Sequence, residues 1–125
     1  MPEPLTPVDI ETRLRKLVND LGIATVMLRE ARDAEVEAKH AWARARRRAM
    51  LSRECPKVER GGYTTAERDA WCDDQVADLA FAHDKATVVR ESAQDHLRTL
   101  REQAEIVRSL GASVRQAYEL AGVGA

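Results

Sequence analysis

The stretch HAWARARRRAM, residues 40–50, places four arginines within five positions beside a tryptophan. A guanidinium is always charged and planar, so it can take two oxygens of one phosphate at once. Arg44, Arg46, Arg47 and Arg48 are therefore candidates for gripping a nucleic-acid backbone, and Arg53, Lys57 and Arg60 extend the series. Charge is locally uneven. Residues 39–68 carry nine positive and three negative side chains, a net of +6, and residues 69–95 carry two and seven, a net of -5. Each phosphate neutralised would add affinity and salt dependence. The competing use is structural: in a chain that doubles back antiparallel, Arg44 to Arg48 run alongside Asp69, Asp73 and Asp74. Such exposed pairs contribute only about 0–1 kcal/mol each, yet they would cancel the field that draws a polyanion.

No other constellation points to chemistry. Cys55 and Cys72 stand 17 apart, in neither a CxxC nor a secreted-domain framework, and are expected to be free thiols. His40, His83 and His96 have no finger or ribbon spacing with them, so no metal site is expected. There is no Gly-rich phosphate loop, no HExxH, and no nucleophile beside a base in a recognisable motif. We expect no catalytic residues, no cofactor and no small-molecule substrate.

These side chains need a frame, and composition limits what it can be. The chain has 125 residues, enough for one domain with a modest core, and 33% of them are charged with a net of -1. There is thus no global attraction to polyanions, only the local one. Alanine supplies 20 residues and aromatics only five, which suits thin helix-helix seams better than a thick core. No apolar run approaches the length of a membrane span. The start, MPEPLTPVDIE, lacks the basic and apolar blocks of a signal peptide, which predicts a cytoplasmic protein.

Helix signals dominate. Thr6 can cap, Pro7 fits the first helical position and Asp9 the electropositive first turn. From there Ile10, Leu14, Leu17, Leu21, Ala24, Leu28, Ala31, Glu35, Ala38, Trp42, Ala45 and Ala49 recur at alternating spacings of four and three, the mark of a narrow two-helix seam. This predicts a helix over about 7–51. Residues 52–64, SRECPKVERGGYT, have loop chemistry. Thr64 and Glu67 then form a capping box that opens a second helix, expected to run unbroken over about 65–121. Its stripe is expected at Leu79, Ala82, Ala86, Val89, Ala93, Leu97, Leu100, Ala104, Val107, Gly111, Val114, Tyr118 and Ala121.

The expected fold is all-α: an antiparallel two-helix coiled-coil hairpin in a single domain, with partner positions totalling roughly 116. That register puts Trp42 close to Trp71, with Tyr63 just above them, as a hydrophobic plug or a base-stacking platform. The helices would be unequal, roughly 85 Å against roughly 65 Å. An overhanging stripe of Leu97, Leu100, Ala104, Val107, Gly111, Val114 and Tyr118 would then be covered by another copy, so a homo-oligomer is expected.

Residues 97–122, LRTLREQAEIVRSLGASVRQAYELAG, together with AWARARRRA at 41–49 and TTAERDAW at 64–71, resemble small all-helical proteins of actinobacterial phages. In outline these resemble the UvsY type of recombination mediator. The resemblance implies an oligomer built on the C-terminal helix and single-stranded DNA held by Arg44, Arg46, Arg47, Arg48, Arg53 and Lys57. It also implies a recombinase as partner and the host cytoplasm as location. Such mediators tend to be basic, whereas this chain is near neutral. The alternative expectation is a coiled-coil scaffold or adaptor that binds a phage or host protein without nucleic acid.

Overall fold

Thr6 and Asp9 fix where the first helix begins. The Asp9 amide donates to Thr6 Oγ1 at 3.2 Å, and the Thr6 amide donates to Asp9 Oδ2 at 3.0 Å. Two amides that a helix start leaves unpaired are thereby satisfied reciprocally. The backbone and then the side-chain hydrogen bond of Thr6 hold the Asp9 carboxyl below its ordinary range. In this computed structural model, which describes residues 5–123, helix α1 runs Pro7–Leu51. The second cap closes as a full box: the Glu67 amide donates to Thr64 Oγ1 at 3.2 Å and the Thr64 amide to Glu67 Oε1 at 3.3 Å.

Beyond that cap the chain departs from the expected single rod. Helix α2 covers only Thr65–Gln75, and helix α3 runs Ala77–Val123. Val76 separates them, with φ -114° and ψ 16° and its amide turned to the Asp74 carbonyl instead of continuing the helical ladder. A β-branched side chain is among the poorer helix formers, and the break carries Val76 inward, leaving it 4% exposed. The helix resumes at once, with the Ala80 amide bonded to the Val76 carbonyl. Three helices, then, replace the expected two. The two long ones have nearly equal lengths, 45 and 47 residues, because α2 belongs to the turn. The length mismatch that suggested self-association is therefore gone.

The described residues divide into two compact units, one holding residues 5–29 and 92–123, the other Glu30–Glu91. In the first, the halves of α1 and α3 meet through Ala24, Leu28, Leu97 and Leu100, all buried, with Leu17, Leu21 and Ala93 packed on them. Burying an aliphatic side chain of this size contributes about 1.5–3 kcal/mol. Ile10 is buried farther along the same unit, beside Gly111.

In the second unit α1 turns inward Ala31, Glu35, Ala38, Trp42, Ala45 and Ala49, as its spacing predicts. The face of α3 differs from expectation. Leu79 is 37% exposed and Val89 58%, while Ala80, His83, Ala86, Thr87 and Arg90 are half-buried. Two cross-helix contacts belong to this frame: Arg90 Nε donates to Glu35 Oε2 at 3.1 Å, and the Trp42 ring lies against His83 with centroids 5.4 Å apart. Burial pushes the Glu35 carboxyl up, but the hydrogen bond and charge of Arg90, aided by the neighbouring Thr87, hold the group below its ordinary value. His83, twelve residues beyond Trp71, thus takes the place expected of Trp71. Tyr63 is not stacked above a tryptophan pair; it is 53% exposed and forms an isolated bridge with Val58.

Candidate nucleic-acid interface

The last turns of α1 sort the arginine run by helical position. Trp42, Ala45, Arg46 and Ala49 take the inner side, and the intervening Arg44, Arg47 and Arg48 are exposed. Arg46 is the one that folds inward onto α2. Its Nε donates to Asp73 Oδ1 at 3.0 Å, and its Nη2 lies 3.7 Å from Asp69 Oδ1. The Asp73 hydrogen bond leads the forces that raise the Arg46 guanidinium still further above its ordinary value. Asp69 also takes Arg68 at 3.4 Å. Two of the three anticipated aspartates are therefore engaged; Asp74 is not.

The cancellation is confined to that cluster. Among the described residues, Arg44, Arg47, Arg48, Arg53, Lys57 and Arg60 make no ion pair and no side-chain hydrogen bond, and all six are exposed. Arg53, Lys57 and Arg60 sit on a loop with defined internal geometry. The Ser52 amide bonds the Ala49 carbonyl, the Cys55 amide the Ser52 carbonyl, and the Gly62 amide the Glu59 carbonyl. Gly61 takes φ +83° to complete the reversal, a conformation that glycine adopts at little cost. Six cations of the seven read from the sequence are thus brought together on the end of α1 and the loop that follows it, and Arg46 is withdrawn.

Beneath the loop lies a pairing that spacing did not show. Cys55 and Cys72 are both buried, with Sγ atoms 3.9 Å apart. Burial, followed by the hydrogen bond with Cys55, pushes the Cys72 thiol above its ordinary value, and Arg46 opposes the shift. The available signal was indirect: one cysteine stands in a Pro-containing loop and the other about two turns into a capped helix. Among the described residues no group of three or more His, Cys, Asp or Glu side chains could hold a metal ion.

The other predicted set has a different place. Leu97 and Leu100 are buried inside the chain against α1, and Ala104, Val107 and Val114 are half-buried. Gly111 faces Ile10 so closely that a Cβ built on it would meet Ile10 Cγ2 at 2.9 Å. Tyr118 is half-exposed at 50%. Most of this stripe is wrapped by its own chain instead of being left for a second copy. Among the described residues no helix is long and apolar enough to cross a membrane. No protein-family model, curated protein or solved structure matches the chain.

Proposed function

We propose that this protein is a non-enzymatic nucleic-acid-binding accessory factor that holds a single strand by its phosphates. One observation carries it: six cations stay exposed and unpaired at one end of α1 and on the adjoining loop, although acidic residues for pairing lie close by on α2. Arg44 stands one turn before the adjacent pair Arg47 and Arg48, so their forks can engage neighbouring phosphates. The exposed Tyr63 ring, five residues from the Val58 end of its bridge, supplies one face on which a base can stack. The likeness to UvsY-type mediators gives the activity a setting, phage recombination or replication in a bacterial cytoplasm, with a recombinase as protein partner. Oligomerisation is part of that proposal only through avidity, in which several basic ends hold one strand.

The test is fluorescence anisotropy of a labelled oligonucleotide at low salt. Wild-type protein binds, and binding weakens steeply as salt rises. The triple replacement Arg44→Glu, Arg47→Glu and Arg48→Glu abolishes binding with helicity unchanged. Neutralising the same three to Gln lowers the slope of log affinity against log salt by roughly 2 for a single strand. Arg46→Gln, which removes a paired cation, leaves most of the affinity. Wild-type protein that ignores the oligonucleotide at low salt ends the proposal.

A second use has its own support. Phe81, Val88 and Val89 on α3 are each more than half exposed, as in an adaptor whose helix receives a protein partner. Replacing all three with polar residues and finding oligonucleotide affinity unchanged while a recombinase no longer co-sediments would assign that face to the protein partner.

A further inference from the structure

The two cysteines have no part in phosphate binding, yet they are the only two in the chain and their sulfurs are in contact at 3.9 Å. We propose that Cys55 and Cys72 form a modification site at which a small peroxide makes an intramolecular disulfide, fastening the loop to α2. Three features of the structure converge on it. The partners are held: the Cys55 amide is bonded to Ser52 and its Sγ lies 3.7 Å from the Pro56 carbonyl oxygen, while Cys72 sits within a helix whose start is locked by the Thr64–Glu67 box. Their accessibility is unequal, Cys55 at 9% exposed and Cys72 at 0%, which assigns first attack to Cys55 and resolution to Cys72. With so little of Cys55 exposed, a small peroxide suits the site better than a bulky disulfide such as oxidised glutathione.

The chemistry balances. The Cys55 thiolate attacks one peroxide oxygen; the O–O bond breaks, hydroxide leaves and is protonated to water, and Cys55 becomes a sulfenic acid. Cys72 gives up its proton and its sulfur attacks that of Cys55. The S–S bond forms, the S–O bond breaks, and the departing hydroxide takes a proton to become a second water. Two thiols have lost two electrons and one peroxide has gained them. The sulfurs must close from 3.9 Å to about 2.05 Å. The product closes a short loop covalently, which restricts the unfolded chain and raises the unfolding temperature.

The experiment treats the folded, reduced, full-length protein with hydrogen peroxide and maps the result by non-reducing peptide mass spectrometry. Expected is a single linked peptide pair containing Cys55 and Cys72, lighter by two hydrogens, with helicity kept and a raised melting temperature that a reductant reverses. In Cys72→Ser, Cys55 stops at a sulfenic acid that dimedone captures; in Cys55→Ser, Cys72 stays reduced. Should either variant fail to fold, the wild-type map decides alone. Two unreacted thiols, Cys55 carried on to sulfinic acid beside a free Cys72, or chains cross-linked to one another would each overturn the proposal. Nothing in this test depends on what the arginines bind.

Discussion

The two units of the molecule use the same helices in different ways. In the first, α1 and α3 meet through Leu17, Leu21, Ala24, Leu28, Ala93, Leu97 and Leu100. In the second, the facing residues include Glu35 with Arg90, Trp42 with His83 and Arg46 with Asp69 and Asp73. Apolar contacts are non-directional and tolerate a range of alignments, whereas a hydrogen-bonded ion pair fixes one. The buried leucines sit in the first unit, while the pairs that fix registration sit in the second, which also carries the exposed cations of the candidate site. A half-buried pair such as Glu35–Arg90 gives less than its charge suggests, because desolvation offsets attraction, but it penalises any slip that separates its members.

The largest expected effect tests which apolar positions of α3 form the seam with α1. Leu97→Ala, at a position 5% exposed, should cost about 2–5 kcal/mol, the usual range for truncating a buried leucine. Val89→Ala should change stability by no more than about 0.5 kcal/mol in either direction, since Val89 is 58% exposed. Urea unfolding followed by circular dichroism measures both. Equal losses would mean that the apolar stripe through Val89 forms the seam and that the ion-paired face of α3 is turned out.

Those two residues also show how far the sequence could be read. Along α1 every position of the four-three series from Ile10 to Ala49, Glu35 included, lies inward, because regular apolar recurrence and helical geometry agree there; Arg46, which also turns inward, lies outside the series. Along α3 the expected stripe held at Ala86 and from Ala93 to Val114, and failed at Leu79, Ala82 and Val89 and again at Tyr118 and Ala121, which are exposed. Leu79 and Val89 attract the eye as apolar, yet His83 and Arg90 face inward, since their partners Trp42 and Glu35 lie 41 and 55 residues away in the chain and leave no local trace. Both caps were legible because each is written within four residues. The break at Val76 was not: valine interrupts a helix only when tertiary contacts reward the interruption. Of the candidate site, the cations could be named from charge alone, but which one would be withdrawn depended on the register, and so did the meeting of Cys55 with Cys72.

An intermediate effect should come from the pair that fixes that register. The Glu35 carboxyl has a folded-state pKa below its ordinary value, so its contribution to stability is complete above the unfolded-state pKa and is lost as pH falls through the lowered one. Wild type should therefore exceed Glu35→Gln in stability at neutral pH, and the difference should shrink on acidification below the ordinary glutamate range. Replacing both Glu35 and Arg90 with Leu should recover stability beyond Glu35→Gln, because no unpaired charge remains and the seam becomes like that of the first unit. A double variant less stable than the single at neutral pH would show that the second unit tolerates no apolar substitute, and the contrast between the units would then be one of stability as well as alignment.

The smallest effect probes how tightly the first unit closes, through two glycines that lie inside its helices. Around Gly22 there is no atom within 4 Å of where a Cβ would stand. Gly22→Ala should therefore gain about 1 kcal/mol, the difference in helix propensity between the two residues. At Gly111 the same gain in propensity meets resistance, since the new Cβ would stand 2.9 Å from Ile10 Cγ2, and a β-branched side chain has little freedom to swing away. Gly111→Ala should thus stabilise less than Gly22→Ala, or destabilise. Ile10→Leu removes the obstructing branch while keeping an apolar side chain of similar volume, so Gly111→Ala should be more favourable in that background. The two changes form a double-mutant cycle whose coupling energy reports the contact directly. Zero coupling, with equal gains at both glycines, would mean that α1 and α3 do not approach closely at Ile10, and that the seam of the first unit ends nearer to Leu100.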